Sequence, residues 1–436
     1  MRWFAINHHG VFMADSITAL ITEMGKKARA ASRLLLGASS AAKIMALTTL
    51  ADLLEKRQDA LFAANANDVD AAVAAGLEKP KVNRLRLTPE IVAEMAAACR
   101  QVAGEPDLIG ALDSQWAQPN GLLVGRMRIP LGVVAMIFES RPNVTIDSAI
   151  LCLKSGNAVI LRGGSEALES NVFLMGLVQE ALAAASLPRD CAQLVPIRDR
   201  EAVAALCRMD AYVDVMIPRG GEGLIKTVAS LATMPVLKHD KGVCHAYVHA
   251  DADLALAVPV IVNSKAQRPS TCNALECLLL HESIVQDMIP MLVPALEQAH
   301  IAVRACARTL PLFQKAGLDA TPAAQGDFGM EFGDLILAVK TVAGMDEALD
   351  HIAQHGSRHT ECIFARDHAH VQRFLREVDA SVVMHNASTR LNDGGQLGLG
   401  AEIGISTSKM HAYGPMGIRE LTTTKFVVLG SGQLRQ

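Results

Sequence analysis

Val133-Val134-Ala135-Met136-Ile137-Phe138 is an unbroken apolar run. It is followed by Glu139-Ser140-Arg141-Pro142-Asn143, a helical pattern from Thr145 to Lys154, and a second apolar run, Ala158-Val159-Ile160-Leu161. An apolar run without alternation is a strand covered on both faces, and such strands separated by helices form a parallel sheet. The pattern repeats. A long helix is expected over Ala167 to Ala185, strands at Cys191 to Pro196, Ala211 to Ile217 and Val236-Leu237, and helices near 199–208 and 221–232.

Upstream, 16–36 and 40–64 each read as one helix from their three- and four-residue apolar spacing. Thr88-Pro89-Glu90 opens another running to about Val102, with a hydroxyl cap followed by proline in the first turn. Gln118-Pro119-Asn120-Gly121 is a turn between extended segments, so 109–130 reads as a hairpin. Residues 1–12 read as a poorly ordered extension or start-site artefact, because Met13 begins a more ordinary start.

Near Gly242 to Val248 a first α/β domain hands over to a second. Helices are expected at 253–263, 283–298, 346–354 and 367–377, and strands at 277–280, 301–305, 335–339, 362–365 and 381–385. A glycine-rich part follows (Gly394, Gly395, Gly398, Gly400, Gly404), then a strand-like tail, Lys425 to Leu429.

The bulk numbers agree with this plan. A chain of 436 residues exceeds one ordinary core, so two or three domains are expected. A net charge of -4 and 4% aromatic residues leave neither a cationic surface nor stacking platforms for nucleic acid. No apolar run reaches the ~20 residues of a membrane helix. The nine cysteines are scattered without a Cys-x-x-Cys pair, which fits a reducing cytoplasm.

Three loops follow strands and precede helices, where open α/β sheets bind ligands. In Glu139 to Asn143, Asn143 suits either a helix cap or a donor to an oxyanion. In Arg162-Gly163-Gly164-Ser165, the glycines admit a backbone approach and the arginine favours a phosphorylated ribose, hence NADP over NAD. In Arg219-Gly220-Gly221, N–H groups at a helix start suit a pyrophosphate. A fourth stretch lies in the second domain, Ser264-Lys265-Ala266-Gln267-Arg268-Pro269-Ser270-Thr271-Cys272-Asn273. It places a cysteine among cations where the apolar pattern breaks, and neighbouring positive charge favours a nucleophilic thiolate. His351, His355 and His359 recur every four residues, but Gly356 interrupts and no carboxylate completes a set, so no metal is expected.

Several motifs together carry a resemblance. They are Glu139-Ser140-Arg141-Pro142-Asn143-Val144-Thr145, the run Leu153 to Gly164, Gln267-Arg268-Pro269-Ser270-Thr271-Cys272-Asn273, and the run His351 to Glu361. Asn386-Ala387-Ser388-Thr389-Arg390, Asp393-Gly394-Gly395-Gln396, the run Gly398 to Ser408 and Gly414-Pro415-Met416-Gly417 complete them. In order, these resemble the gamma-glutamyl phosphate reductases (glutamate-5-semialdehyde dehydrogenases) of the aldehyde dehydrogenase superfamily.

The resemblance implies two Rossmann-like parallel-sheet domains and a small β oligomerisation arm. The implied division is an NADP-binding domain over 13–113 and 131–245, a catalytic domain over 246–410, and an arm from 114–130 and 411–436. It implies NADPH-dependent reduction of L-glutamate 5-phosphate to L-glutamate 5-semialdehyde with release of phosphate, the second step of proline synthesis from glutamate. A homodimer or tetramer and a glutamate 5-kinase partner are also implied.

By the same resemblance, Cys272 is the nucleophile and Asn143 the oxyanion asparagine. Arg162, Gly163, Gly164, Ser165, Arg219, Gly220 and Gly221 lie along the cofactor, and Glu331 meets the nicotinamide ribose. Arg141, Lys265, Arg268 and Arg390 are the cations nearest the substrate's phosphate or carboxylate. Hydrolytic relatives carry a glutamate that activates water. Here the matching stretch is Lys238-His239-Asp240-Lys241-Gly242, without one. That departure suits a thioester meant for hydride rather than for water.

Overall fold

A computed structural model describes residues 14–435, so the reading of 1–12 lies outside the described residues. In chain order the helices are α1 (Ala14–Leu35), α2 (Ser40–Lys56), α3 (Gln58–Ala74), α4 (Lys79–Leu85), α5 (Pro89–Gly104), α6 (Asn143–Lys154) and α7 (Leu168–Ala184). They continue with α8 (Glu201–Leu206), α9 (Glu222–Leu231), α10 (Leu254–Ala266), α11 (Val285–Gln298), α12 (Leu310–Lys315), α13 (Met345–His355) and α14 (His368–Glu377). The strands are β1 (Leu112–Ala117), β2 (Leu123–Pro130), β3 (Val133–Phe138), β4 (Ala158–Arg162), β5 (Ala192–Leu194), β6 (Val215–Arg219), β7 (Cys244–Val248) and β8 (Leu275–His281). Then come β9 (Ala302–Ala305), β10 (Thr321–Pro322), β11 (Ile336–Val342), β12 (Thr360–Phe364), β13 (Val382–His385), β14 (Ile405–Ser406), β15 (Gly414–Pro415) and β16 (Thr422–Leu429).

The chain forms two compact units. One holds the described residues up to Lys238 together with Leu399–Gly404 and those from Met416 onward; the other is His239–Gly398 with Ile405–Pro415.

The first unit contains a four-stranded parallel sheet in the order β5-β4-β3-β6. Every residue of β3 and β4 is buried, as their continuous apolar runs require. On one face Ile17, Ile21 and Met24 of α1 pack with Val133, Ala135, Ile137 and Ile160. The helix expected over 40–64 is two helices: the backbone leaves the helical region at Arg57. The break lets Leu47, Leu50 and Leu54 on one side and Leu61 and Val69 on the other all reach the interior. Val236-Leu237 contributes only a bridge from Val236 to Met216 rather than a strand. Thr88 caps α5, its Oγ1 accepting from the Ile91 N–H at 3.4 Å.

The hairpin and the tail form a separate antiparallel sheet, β1-β2-β16. Gly121 turns the hairpin with φ 84°, a conformation that favours glycine.

The second unit is a seven-stranded parallel sheet, β10-β9-β11-β8-β7-β12-β13. One face packs Ala257 and Ile261 of α10 with Met288, Ile289 and Leu292 of α11; the other packs Ile352 of α13 and Phe374 of α14. β7 pairs with β8 and β12, so Cys244–Val248 belongs to this sheet rather than closing the first one. The helix expected to stop at 263 continues to Ala266, which places Ser264 and Lys265 in the last turn of α10 instead of in a loop. Among the described residues no helix is long and apolar enough to cross a membrane.

Candidate active site

Parallel pairing aligns the carboxyl ends of three neighbouring strands in the first unit. Ile137 lies opposite Arg162, and Phe138 opposite Arg219, so the three loops read from the sequence share one edge of the sheet. That edge is where open α/β sheets bind nucleotides.

Asn143 is the first residue of α6, with Pro142 at the cap position. Its side chain therefore does not cap the helix. Instead its Nδ2 donates to Asp147 Oδ2 at 3.0 Å, one turn on. The protein packed around Asp147 pushes its carboxyl up to about 6, against the opposing pull of Arg219 and Asn143. Arg141 is half-buried in the same loop, where its carbonyl accepts from the Val144 N–H at 3.0 Å.

Arg162 has carbonyl partners within the chain. It is 8% exposed, and its guanidinium donates to the carbonyls of Gly163 at 2.7 Å and Arg198 at 3.3 Å. Its Nε is buried without a partner. Ser165 is exposed, and its carbonyl accepts from Arg198 Nε at 3.2 Å. The neighbouring Glu166 accepts through Oε1 from both the backbone N–H and the hydroxyl of Ser140, and through Oε2 from the Ser165 hydroxyl at 3.5 Å, so its carboxylate stays beside Gly164. Gly163 is needed for internal packing: a Cβ there would overlap the Asn171 amide and stand 3.0 Å from Phe138 Cζ.

At the start of α9 the Gly221 N–H donates to Glu139 Oε2 at 3.1 Å. A Cβ on Gly220 would stand 2.6 Å from the same carboxyl carbon. The chain's own carboxylate thus lies where the pyrophosphate was expected. Arg219 donates to the Ile403 carbonyl at 2.7 Å.

In the second unit Cys272 lies in the turn between α10 and β8. Cys272 and Cys306 are part-exposed, whereas the other seven cysteines are buried. The Cys272 carbonyl accepts from the Cys244 thiol at 3.2 Å. The strand entry behind it is pinned three times: Gly242 N–H to Glu331 Oε2 at 2.8 Å, Val243 N–H to Ser357 Oγ at 2.9 Å, and His245 N–H to Glu361 Oε2 at 2.8 Å. Glu331 is therefore brought beside the cysteine's support, with its side chain otherwise exposed.

Arg390 braces the cysteine turn, donating to Gln267 Oε1 at 2.8 Å and to Asn273 Oδ1. Arg268 is exposed nearby, and both Arg268 and Cys272 lie within electrostatic reach of Arg390. Lys265 is a correction to the sequence reading. It is fully buried and ion-paired with Glu276 at 2.6 Å, so it is a cation of the interior rather than of a substrate surface. Burial pulls the lysine's pKa down and pushes the Glu276 carboxyl up to about 7.

The three histidines separate. The rings of His351 and His355 lie 4.5 Å apart, while His359 faces His239 at 5.6 Å. Among the described residues two clusters have ligand-type atoms within 4.8 Å, His245 with Cys277 and His351, and His249 with Asp251 and His370. In the first, Lys340 Nζ meets His351 Nδ1 at 3.2 Å, and an ammonium only donates. In the second, one Asp251 oxygen meets His249 at 2.8 Å and the other accepts two backbone N–H groups.

Asp147, Glu139, Glu276 and Glu361 went unread in the sequence. For Asp147 a signal was present: it stands four residues after Asn143, on the same face of one helix. The others depend on pairings between distant segments.

The sequence model of the aldehyde dehydrogenase family matches residues 13–309. A gamma-glutamyl phosphate reductase from Nitratidesulfovibrio vulgaris is 60% identical over 97% of this chain and 100% of its own. One from Solidesulfovibrio magneticus is 59% identical over 96% of this chain and 100% of its own. The crystal structure of gamma-glutamyl phosphate reductase from Thermotoga maritima is 42% identical and superposes with a TM-score of 0.92, covering 95% of this chain and 100% of that one. The chain belongs to the aldehyde dehydrogenase family and, within it, to the gamma-glutamyl phosphate reductases.

Proposed function

We propose that this chain reduces L-glutamate 5-phosphate to L-glutamate 5-semialdehyde with NADPH, releasing phosphate, as the second step of proline synthesis from glutamate. The observation that carries the chemistry is Cys272: a part-exposed cysteine in a turn braced by Arg390, its peptide backed by Gly242. The near full-length identity to gamma-glutamyl phosphate reductases supports the choice of substrate.

In this reading the Cys272 thiolate attacks the acyl phosphate carbonyl, the C–O bond to phosphate breaks, and a thioester forms. The second Nδ2 hydrogen of Asn143 and the Cys272 N–H hold the oxyanion, each such donor contributing about 3 kcal/mol. The nicotinamide cofactor supplies a hydride when bound. Collapse of the resulting hemithioacetal returns the thiolate and releases the aldehyde. The absence of a glutamate in 238–242 keeps water from being activated against the thioester. Arg141, Arg268 and Arg390 are the cations proposed for the substrate's anionic groups.

The shared edge of β4, β3 and β6 fits a dinucleotide. Arg162 with its orphaned Nε, Gly163, Gly164 and the exposed Ser165 would hold the adenosine end. Arg219, Gly220 and Gly221 would hold the pyrophosphate once Glu139 gives way, and Glu331 the nicotinamide ribose. Ser165 is exposed and carries a small hydroxyl in place of the carboxylate that would pair with a 2′-hydroxyl, which favours NADP.

The exposed Trp116, Phe426, Val428 and Leu429 of the β1-β2-β16 sheet support its use as an oligomerisation arm. A dimer or tetramer, a glutamate 5-kinase partner and a cytoplasmic location complete the proposal.

The deciding assay is the reverse reaction. NADP- and phosphate-dependent oxidation of the semialdehyde should vanish in Cys272→Ala; normal turnover there would overturn the scheme. Activity that depends on coenzyme A instead of phosphate would assign the same cysteine to an acylating aldehyde dehydrogenase.

A further inference from the structure

An asparagine that stabilises an oxyanion must present its N–H and not its oxygen. The two ends of the amide have nearly the same shape, so something must choose between them. Among the described contacts of Asn143, the choice is made one helical turn away, where its Nδ2 donates to Asp147 Oδ2 at 3.0 Å. A carboxylate only accepts. The amide oxygen is therefore turned away from Asp147, and the second Nδ2 hydrogen is left for another acceptor.

We infer that Asp147 is the positioning residue for Asn143, fixing the amide so that an N–H is offered to the carbonyl undergoing attack. The inference rests on the reading of Asn143 as the oxyanion donor. Asp147 itself touches neither substrate nor cofactor in this scheme.

Its surroundings make the device sensitive to pH. Asp147 is hydrogen-bonded by Asn143 from its own helix and lies within electrostatic reach of Arg219 on β6 and of Glu94 and Cys99 on α5. Burial pushes the carboxyl up to about 6, while Arg219 and Asn143 oppose the shift. Below that pH the acid gains an O–H, which donates to the amide oxygen as readily as its carbonyl accepts from the N–H. The choice between the two amide orientations is then lost, and the oxyanion donor with it.

The test is the turnover number for semialdehyde oxidation with NADP and phosphate, measured across pH for the wild type, Asn143→Ala, Asp147→Asn and the double variant. Asp147→Asn should lower kcat about tenfold to a hundredfold with KM changed little, the signature of an interaction made in the transition state. Its acid limb near pH 6 should disappear. The double variant should be no slower than Asn143→Ala alone, because both act through one amide.

Asn143→Ala with wild-type kcat would remove the reading of Asn143 and the inference together. If Asn143→Ala is slow but Asp147→Asn keeps wild-type kcat and acid limb, the inference alone falls. It also falls if the effects of the two single variants multiply. The melting temperature of Asp147→Asn at pH 8 should be no lower than that of the wild type, since burial penalises the charge it removes. A lower one, with kcat lost in proportion to folded protein, would make Asp147 merely structural.

Discussion

Gly242 lies flat against the peptide of Cys272: a Cβ at residue 242 would overlap the Cys272 carbonyl and stand 2.5 Å from its Cα. Backbone atoms cannot yield as the end of a flexible side chain can. Gly242→Ala should push the cysteine turn aside, and a displacement near 1 Å costs about a hundredfold in rate. Semialdehyde oxidation by the folded variant should fall by that order. Wild-type kcat would show that the turn tolerates the shift.

Lys265 and Glu276 form an ion pair closed off from solvent. Lys265→Met leaves the carboxyl in the interior without its cation, which costs about 3–5 kcal/mol. Urea unfolding should show that loss. The double variant Lys265→Met, Glu276→Leu should recover most of it, because no lone ionisable group then remains buried.

His359 is fully buried, and burial together with His239 holds it down at about 3. The unfolded chain takes up that proton near pH 6.5 while the native chain does not. The stability that the neutral ring contributes is complete above that pH and declines as pH falls, by roughly 1.4 kcal/mol per unit. Melting curves between pH 7.5 and 5 should fall less steeply in His359→Asn, which keeps a polar partner for Thr360 Oγ1, 2.8 Å from the ring. Parallel slopes would contradict the assignment.

Ser165 occupies the exposed turn after β4, where a carboxylate would repel a 2′-phosphate and welcome a ribose hydroxyl. Ser165→Glu should raise KM for NADP and shift the NADP-to-NAD preference about tenfold or more. Unchanged ratios would place the discriminating contact elsewhere, with Arg198 the next residue to change.

Phe426 meets Trp116 edge-on with ring centroids 6.4 Å apart, on strands that expose both. If the arm joins subunits, Phe426→Asp places a charge in the contact, and light scattering should report a smaller particle than the wild type. An unchanged mass would remove this sheet from the interface.

The alternation of strands and helices was legible because it is local. A strand buried on both faces must be apolar throughout, and β3 and β4 show this directly. The break at Arg57 and the extension of α10 through Lys265 were not legible. Neither is set by apolar spacing: the first serves two separate packing faces, the second a carboxylate eleven residues away.

The class of fold, the cysteine between α10 and β8 and the glycines of the strand-end loops follow from residue type and neighbours along the chain. How the charges are used came only with folding. Folding sent Lys265 to Glu276, Glu139 to the start of α9, and Arg162 to two carbonyls. It also made Gly242 the support of Cys272. The physical reason is that a charged side chain is defined by the partner that folding brings to it. Burial makes the cost of a wrong pairing large, and that partner is seldom adjacent in sequence.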